Sequence, residues 1–204
     1  MTGQDFPELG PFATMSGAEM DLSRLRLRLV AEAEREGLLD VVYRTVDAPV
    51  GRLLLAATRR GLVRVAYEVE GHDTVLATLA ERISPRILKA GGRLDTVARQ
   101  LDDYFSRVRS GFEVDLDLRL ASRFRLTVLE HLREIPYGST ASYAAVAALA
   151  GSPRAVRAVG TACATNPLPI VVPCHRVVRS DGGIGRYVGG DDAKRALLRL
   201  EGAV

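Results

Sequence analysis

Two clusters of breakers, Pro136-Tyr137-Gly138 and Gly151-Ser152-Pro153, constrain the fold of this chain more than any other feature. They cut the stretch that begins at Ser122 into short helical pieces. Ser122–Glu134 and Ser142–Ala150 read as helices, the second rich in alanine. A third starts after Gly151, with Ser152 as its N-cap and Pro153 at the first helical position, where a missing N–H costs nothing. A short alanine-rich helix, a glycine turn and an arginine-bearing helix make a helix-turn-helix. A last helix starts near Asp191 and Asp192, whose charges suit the positive end of a helix dipole, and runs to Leu200.

The first half is organised differently. Residues 1 to 16 read as a frayed arm, and Asp21–Glu36 as an amphipathic helix with leucine and alanine at near-helical spacing. Val41–Asp47, Arg52–Thr58 and Leu62–Tyr67 are short β-rich runs separated by Pro49-Val50-Gly51 and Arg60-Gly61, so an antiparallel meander is expected. Thr74–Ile83 and Leu94–Arg107 have helical periodicity. The segment Ser110–Ala121, alternating Phe112, Val114, Leu116 and Leu118, reads as an extended linker. At 204 residues, two domains are expected from a soft prior of about 150 residues each, divided as 1–118 and 119–204.

Composition excludes several classes. Hydrophobic content of 47% with 26% charged residues is that of a soluble globular protein. The longest apolar stretches fall far short of the ~20 residues that cross a bilayer, so no membrane association is expected. No secretory signal is legible at the start, which predicts a cytoplasmic protein, and Cys163 and Cys174 read as reduced thiols. Residues 1–118 carry 16 Lys+Arg against 19 Asp+Glu, whereas residues 119–204 carry 12 against 6. The basic second half suggests a polyanionic partner.

That half also holds the run Pro173-Cys174-His175-Arg176-Val177, behind the proline-stiffened approach Asn166-Pro167-Leu168-Pro169-Ile170-Val171-Val172. A free cysteine is more often a small buried hydrophobe than a reagent. Here His175, Arg176 and Arg179 offer a base and positive charge that favour the reactive thiolate, so Cys174 reads as a nucleophile exposed in a cleft. Glu201, the only carboxylate after Asp192, is the candidate to fix the tautomer of His175. Arg154 and Arg157 lie three apart, hence on one face of the third helix, among small residues that let a nucleic-acid groove come close. Tyr143 can donate a hydrogen bond into a pocket, and Tyr187 offers an aromatic wall within the glycine-rich run 181–190. The three histidines are scattered and no Cys-x-x-Cys pair exists, so no metal site is expected.

Ile135-Pro136-Tyr137-Gly138, Ser142-Tyr143, Arg157-Ala158-Val159-Gly160, Asn166-Pro167 and Pro173-Cys174-His175-Arg176-Val177-Val178 together resemble the O6-alkylguanine-DNA alkyltransferases. The resemblance is close over about 120–202 and loose before it. It implies a ribonuclease H-like α/β domain with an antiparallel meander, followed by an α-helical domain of winged-helix type. It further implies a repair protein that flips O6-alkylguanine, and by extension O4-alkylthymine, out of duplex DNA and moves the alkyl group irreversibly to Cys174. Such a protein would act once, as a monomer, without a cofactor. By the same resemblance His175 is a water-mediated base oriented by Glu201, and Tyr143 donates toward guanine N3. Arg157 fills the gap in the stack, with Arg154 also on the DNA. Asn166 braces the helix-turn-helix, while Tyr187, Pro169, the Val177 carbonyl and the Val188 N–H form the pocket.

Val188 stands where many relatives have serine, and the first half lacks cysteine, so the zinc site of some members cannot form. Three other readings compete: a non-catalytic lesion binder, against which Cys174 speaks; a helix-turn-helix regulator, for which the third helix offers few base-reading side chains; and a cysteine hydrolase, which lacks an independent oxyanion-hole signal.

Overall fold

The structure, a computed structural model, describes residues 24, 25, 28–33 and 35–204. The arm over 1–16 and part of the expected Asp21–Glu36 helix lie outside the described residues, while 28–33 and 35 are helical. Four strands, β1 (Val41–Val46), β2 (Leu53–Thr58), β3 (Gly61–Tyr67) and β4 (Ile87–Lys89), form one sheet in the order β3-β2-β1-β4. The first three are the antiparallel meander anticipated from the turns between them. The fourth is an addition, running parallel to β1 with Leu88 opposite Val42. Three residues between Pro85 and Gly91-Gly92 are too few to display a period of two.

Strand β2, Leu53-Leu54-Leu55-Ala56-Ala57-Thr58, is buried along its whole length. The run is continuous because both faces of the sheet are covered. Leu54 and Ala56 face α1 (His72–Arg82), which lays Val75 and Leu79 on them. Leu53, Leu55 and Ala57 face the main core with Val97, Leu101 and Tyr104 of α2 (Asp95–Phe105). The same core continues into Val128, Leu129 and Leu132 of α3 (Arg123–Arg133), so the two halves share it.

The linker stretch is pinned along β3. Leu62 N–H donates to the Asp115 carbonyl and Asp117 N–H to the Leu62 carbonyl, both at 2.8 Å. Its alternation turns Phe112, Val114, Leu116 and Leu118 against the core. Asp117 breaks the pattern as a buried acid, whose Oδ2 accepts from Thr58 Oγ1 at 2.6 Å and Oδ1 from Arg119 Nε at 2.9 Å.

Beyond it, α3, α4 (Tyr143–Leu149) and α5 (Val156–Ala164) pack together, and α6 (Gly190–Glu201) follows. Helix α4 starts at a serine cap, Ser142 Oγ accepting from Ala145 N–H at 3.1 Å. Helix α5 does not begin where the sequence suggested. Its cap is Ala155, and Ser152-Pro153-Arg154-Ala155 form a turn closed by Ala155 N–H on the Ser152 carbonyl at 2.8 Å. Proline's fixed φ suits the second position of a turn as well as the first position of a helix. Arg154 therefore sits in the turn, and of the two arginines only Arg157 is on the helix. A short parallel pair that the sequence did not suggest, β5 (Ala141–Ser142) with β6 (Val177–Val178), ties the start of α4 to the cysteine motif. No helix among the described residues is long and apolar enough to cross a membrane.

Asp117→Ala strands Thr58 Oγ1 in a buried site and is expected to lower unfolding stability by about 1–3 kcal/mol, whereas exposed Asp115→Ala should change it by less than about 0.5 kcal/mol. Denaturant unfolding of the two variants checks the contrast.

Candidate active site

Cys174, His175 and Arg176 form a single 3-10 turn between Pro173 and β6, and all three are buried. What holds the turn is Glu201, at the end of α6. Glu201 Oε1 accepts from Tyr104 Oη at 2.5 Å, His175 Nε2 at 2.9 Å and Arg176 Nη2 at 2.9 Å. Its Oε2 accepts from Arg176 Nε at 2.8 Å and the Gly138 N–H at 3.3 Å. Arg176 Nη1 donates to the Ile135 carbonyl at 2.6 Å. Burial alone would raise the Glu201 carboxyl, but the donors His175, Arg176 and Tyr104 hold it down to about 2.

An ionised Glu201 only accepts, so the ring proton of neutral His175 is on Nε2. The other ring nitrogen, Nδ1, is then a bare lone pair, and it has no hydrogen-bond partner among the described residues. Burial lowers the His175 pKa, against the opposing pull of Glu201. The motif thus holds a neutral imidazole with a basic nitrogen to spare.

Cys174 Sγ accepts from Asn166 Nδ2 at 3.1 Å. The same amide nitrogen donates to the Val172 carbonyl at 2.9 Å, and Asn166 Oδ1 accepts from the Leu168 N–H at 3.0 Å, so the side chain is fixed in one orientation. Two expectations need correction here. The sulfur is not exposed in a cleft, since Cys174 is 1% accessible and belongs to the same hydrophobic core as Leu168, Ile170, Val172 and Tyr187. Nor do Arg176 and Arg179 supply positive charge to it: Arg176 is committed to Glu201, and Arg179 pairs with Asp181 at 2.8 Å on the surface. The nearby cation is Lys194 of α6. Burial pushes the Cys174 thiol up to about 11, while Asn166 and Lys194 pull it down, so at neutral pH it is a thiol awaiting a base.

Lys194 is fully buried, and its Nζ donates to the Val177 carbonyl at 2.6 Å. It was legible in principle: Ala193, Lys194, Leu197, Leu198 and Glu201 form the buried stripe of α6, and two charged residues in such a stripe are unusual. Tyr143 is half-buried at the head of α4 and packs so closely on Gly185 that a Cβ there would lie 2.6 Å from its hydroxyl. Burial first, then the nearby thiols, raise Tyr143 to about 12, which keeps it a phenol and a donor. Tyr187 meets the His175 ring edge-on at 6.2 Å and its hydroxyl lies 3.1 Å from that of Tyr67 in β3. Val188 lines a cavity of about 470 Å³ with Arg64, Arg125, Asn166 and Pro167, which does not include Cys174. Pro169 is buried in the approach segment, while Arg154 and Arg157 are exposed. Cys163 of α5 is a free buried thiol like Cys174.

The first half contributes more than the sequence suggested. Besides Tyr67 and Tyr104, β3 donates from Val65 N–H to the Pro167 carbonyl at 2.9 Å, and Arg64, ion-paired with Glu70, reaches the Asn166 carbonyl at 3.4 Å. These residues look like ordinary core and surface positions in the sequence, because their partners lie about a hundred residues away.

Residues 123–203 match the family model for the 6-O-methylguanine DNA methyltransferase DNA binding domain, and residues 41–118 the model for its ribonuclease-like domain. A methylated-DNA–protein-cysteine methyltransferase of Mycolicibacterium paratuberculosis is 40% identical over 161 residues, covering 79% of this chain and 92% of that protein. One from Methanosarcina barkeri is 38% identical over 78% of this chain and 96% of its own length. The crystal structure of Mycobacterium tuberculosis O6-methylguanine methyltransferase superposes with a TM-score of 0.70 at 37% identity, covering 80% of this chain and 93% of that one. The structure of Mycobacterium tuberculosis OGT in complex with DNA gives 0.68 at 38% identity, over 79% and 93%.

Both members of the buried pair destabilise the fold in acid. His175, lowered from 6.5, must gain a proton on unfolding, so stability starts to fall as pH drops below 6.5. Glu201, lowered from 4.5 to about 2, adds a further loss between those values. Thermal midpoints measured across this range should decline in that order. Glu201→Gln should flatten the lower limb while costing about 3–5 kcal/mol at neutral pH, because Arg176 is left buried without its counter-charge.

Proposed function

The chain belongs to the methylated-DNA–protein-cysteine methyltransferase family, and on that premise we propose that Cys174 is its alkyl acceptor. DNA repair is the activity of the family and DNA its partner. The observation that carries the assignment is the buried chain Glu201–His175 beside a thiol held by Asn166.

The transfer begins when His175 Nδ1 takes the Cys174 proton through a bridging water. The sulfur lone pair attacks the alkyl carbon on guanine O6, a C–S bond forms and the C–O6 bond breaks, its electron pair passing into the purine. Tyr143, a phenol at working pH, donates toward N3 and stabilises the departing anion. The proton first held by His175 returns to the freed guanine, so charge and atoms balance. A thioether is not readily broken, and the protein acts once. Glu201 stays ionised throughout and steadies the imidazolium that forms in between.

A base inside a duplex cannot reach a sulfur that is 1% exposed, so the base is flipped out at a cost of a few kcal/mol. Arg157, exposed on α5 with no ion pair or hydrogen bond to its side chain among the described residues, fills the space left in the stack. Arg154, in the preceding turn, contacts the backbone. The glycine-rich segment 181–190 must yield to admit the purine, and Gly185 is where it rests on Tyr143. Tyr187, Pro169 and the Val188 N–H wall the pocket. The Val177 carbonyl has a second lone pair, beyond that used by Lys194, for the exocyclic amine. O4-alkylthymine, with the same exocyclic ether, is a second substrate. The matched ranges 41–118 and 123–203 support a domain division between 118 and 119.

Incubation with an oligonucleotide containing O6-methylguanine should add one methyl group to the intact protein, located by peptide mass on Cys174 and absent in Cys174→Ser. A methyl group found elsewhere, or none, overturns the assignment. Arg157→Ala is expected to slow repair of duplex DNA at least about tenfold while leaving reaction with free O6-benzylguanine nearly unchanged. Equal losses on both substrates would count against the flipping role.

A further inference from the structure

We propose that Tyr104, supplied by α2 of the first half, is a positioning residue for the transfer: its hydroxyl acts through Glu201 to keep His175 singly protonated, with Nδ1 free for the thiol. The proposal rests on the assignment of Cys174, His175 and Glu201 above.

Packing does not account for the hydroxyl. The Tyr104 ring is fully buried in an aromatic cage, edge-on to Phe105 at 5.4 Å and to Tyr137 at 6.1 Å, and tilted on Phe112 at 5.3 Å. A phenylalanine would fill that cage equally well. The hydroxyl instead makes a 2.5 Å hydrogen bond to Glu201 Oε1, the oxygen that also receives His175. Charge neutralisation does not require it either, since Arg176 already forks onto both carboxylate oxygens.

Its effect falls on the histidine. Two donors on Oε1 compete for its electron density, so the phenol weakens the pull of that oxygen on the Nε2 proton. Without the phenol, Oε1 is more basic and stabilises a doubly protonated imidazolium, in which Nδ1 is no longer a base. The other charged or titratable groups around the pair are Arg176 on the same turn, Lys194 on α6, Tyr137 after α3 and Tyr187 beside the ring. Arg176 and Lys194 both oppose a positive His175, so removing Tyr104 shifts the balance without reversing it.

The test is the rate constant for methyl transfer from an O6-methylguanine oligonucleotide as a function of pH, for the natural protein and Tyr104→Phe, with thermal midpoints recorded alongside. In the variant, the acid limb should move up by about half to one pH unit, while the plateau rate, at which Nδ1 is free in both proteins, should not fall. Superimposable pH profiles would overturn the proposal, even with a lower thermal midpoint, since a purely structural hydroxyl predicts that result. Should Tyr104→Phe fail to fold, NMR of the natural protein decides: the Tyr104 ring-carbon and His175 ring-nitrogen shifts should titrate with one midpoint, and separate midpoints would refute the coupling. The NMR result stands even if no methyl reaches Cys174, which distinguishes failure of this proposal from failure of the acceptor assignment.

Discussion

A carboxylate removed from water must be surrounded by donors or give up its charge. Glu201 meets this requirement by drawing on three separate parts of the chain, with Tyr104 from α2, Gly138 from the turn after α3, and His175 and Arg176 from the motif turn, while itself closing α6. Each donor fixes the element that carries it. Arg176 extends the network to the Ile135 carbonyl, so the turn that ends α3 is anchored as well. The pair between Glu201 and Arg176 is therefore as much a device of architecture as of chemistry. Losing either partner would leave a lone charge in the core, far more costly than the pair itself is favourable.

The thiol is not held as a preformed thiolate. Burial keeps it protonated, and a neutral sulfur shut off from bulk solvent is protected from oxidants and stray electrophiles. Asn166 aims it, Lys194 offsets part of the cost of its anion, and the base waits one residue away in neutral form. Reactivity of this sulfur therefore waits on the removal of its proton.

Much of this was legible in the sequence. The Pro-Cys-His-Arg run and the lone carboxylate at Glu201 marked residues that the fold does bring together, and the breakers of the second half marked its helices. The meander was legible too, because its turns are marked by glycine and proline. What was not legible depends on distance. Strand β4 has too few residues to show a period, and Pro153 satisfies a turn and a helix start alike. Tyr104 and Tyr67 read as core aromatics until their partners, Glu201 and Tyr187, are brought beside them. The exposure of the sulfur was misread because motif chemistry speaks of reactivity and says nothing of the side chains folded over it. Lys194 was overlooked although its place in an apolar stripe marked it.

Strand β3 sets the Val65 N–H on the Pro167 carbonyl and Arg64 near that of Asn166, the residue that aims the sulfur. The reagent is consequently not portable. Grafting the Asn166–Val178 loop onto another helix-turn-helix scaffold would carry over Asn166, Cys174 and His175 yet leave behind Glu201 and the surface against which the loop is moulded. Recombination between distant relatives should be tolerated where it exchanges β3 and that loop together, and selected against where a crossover separates them.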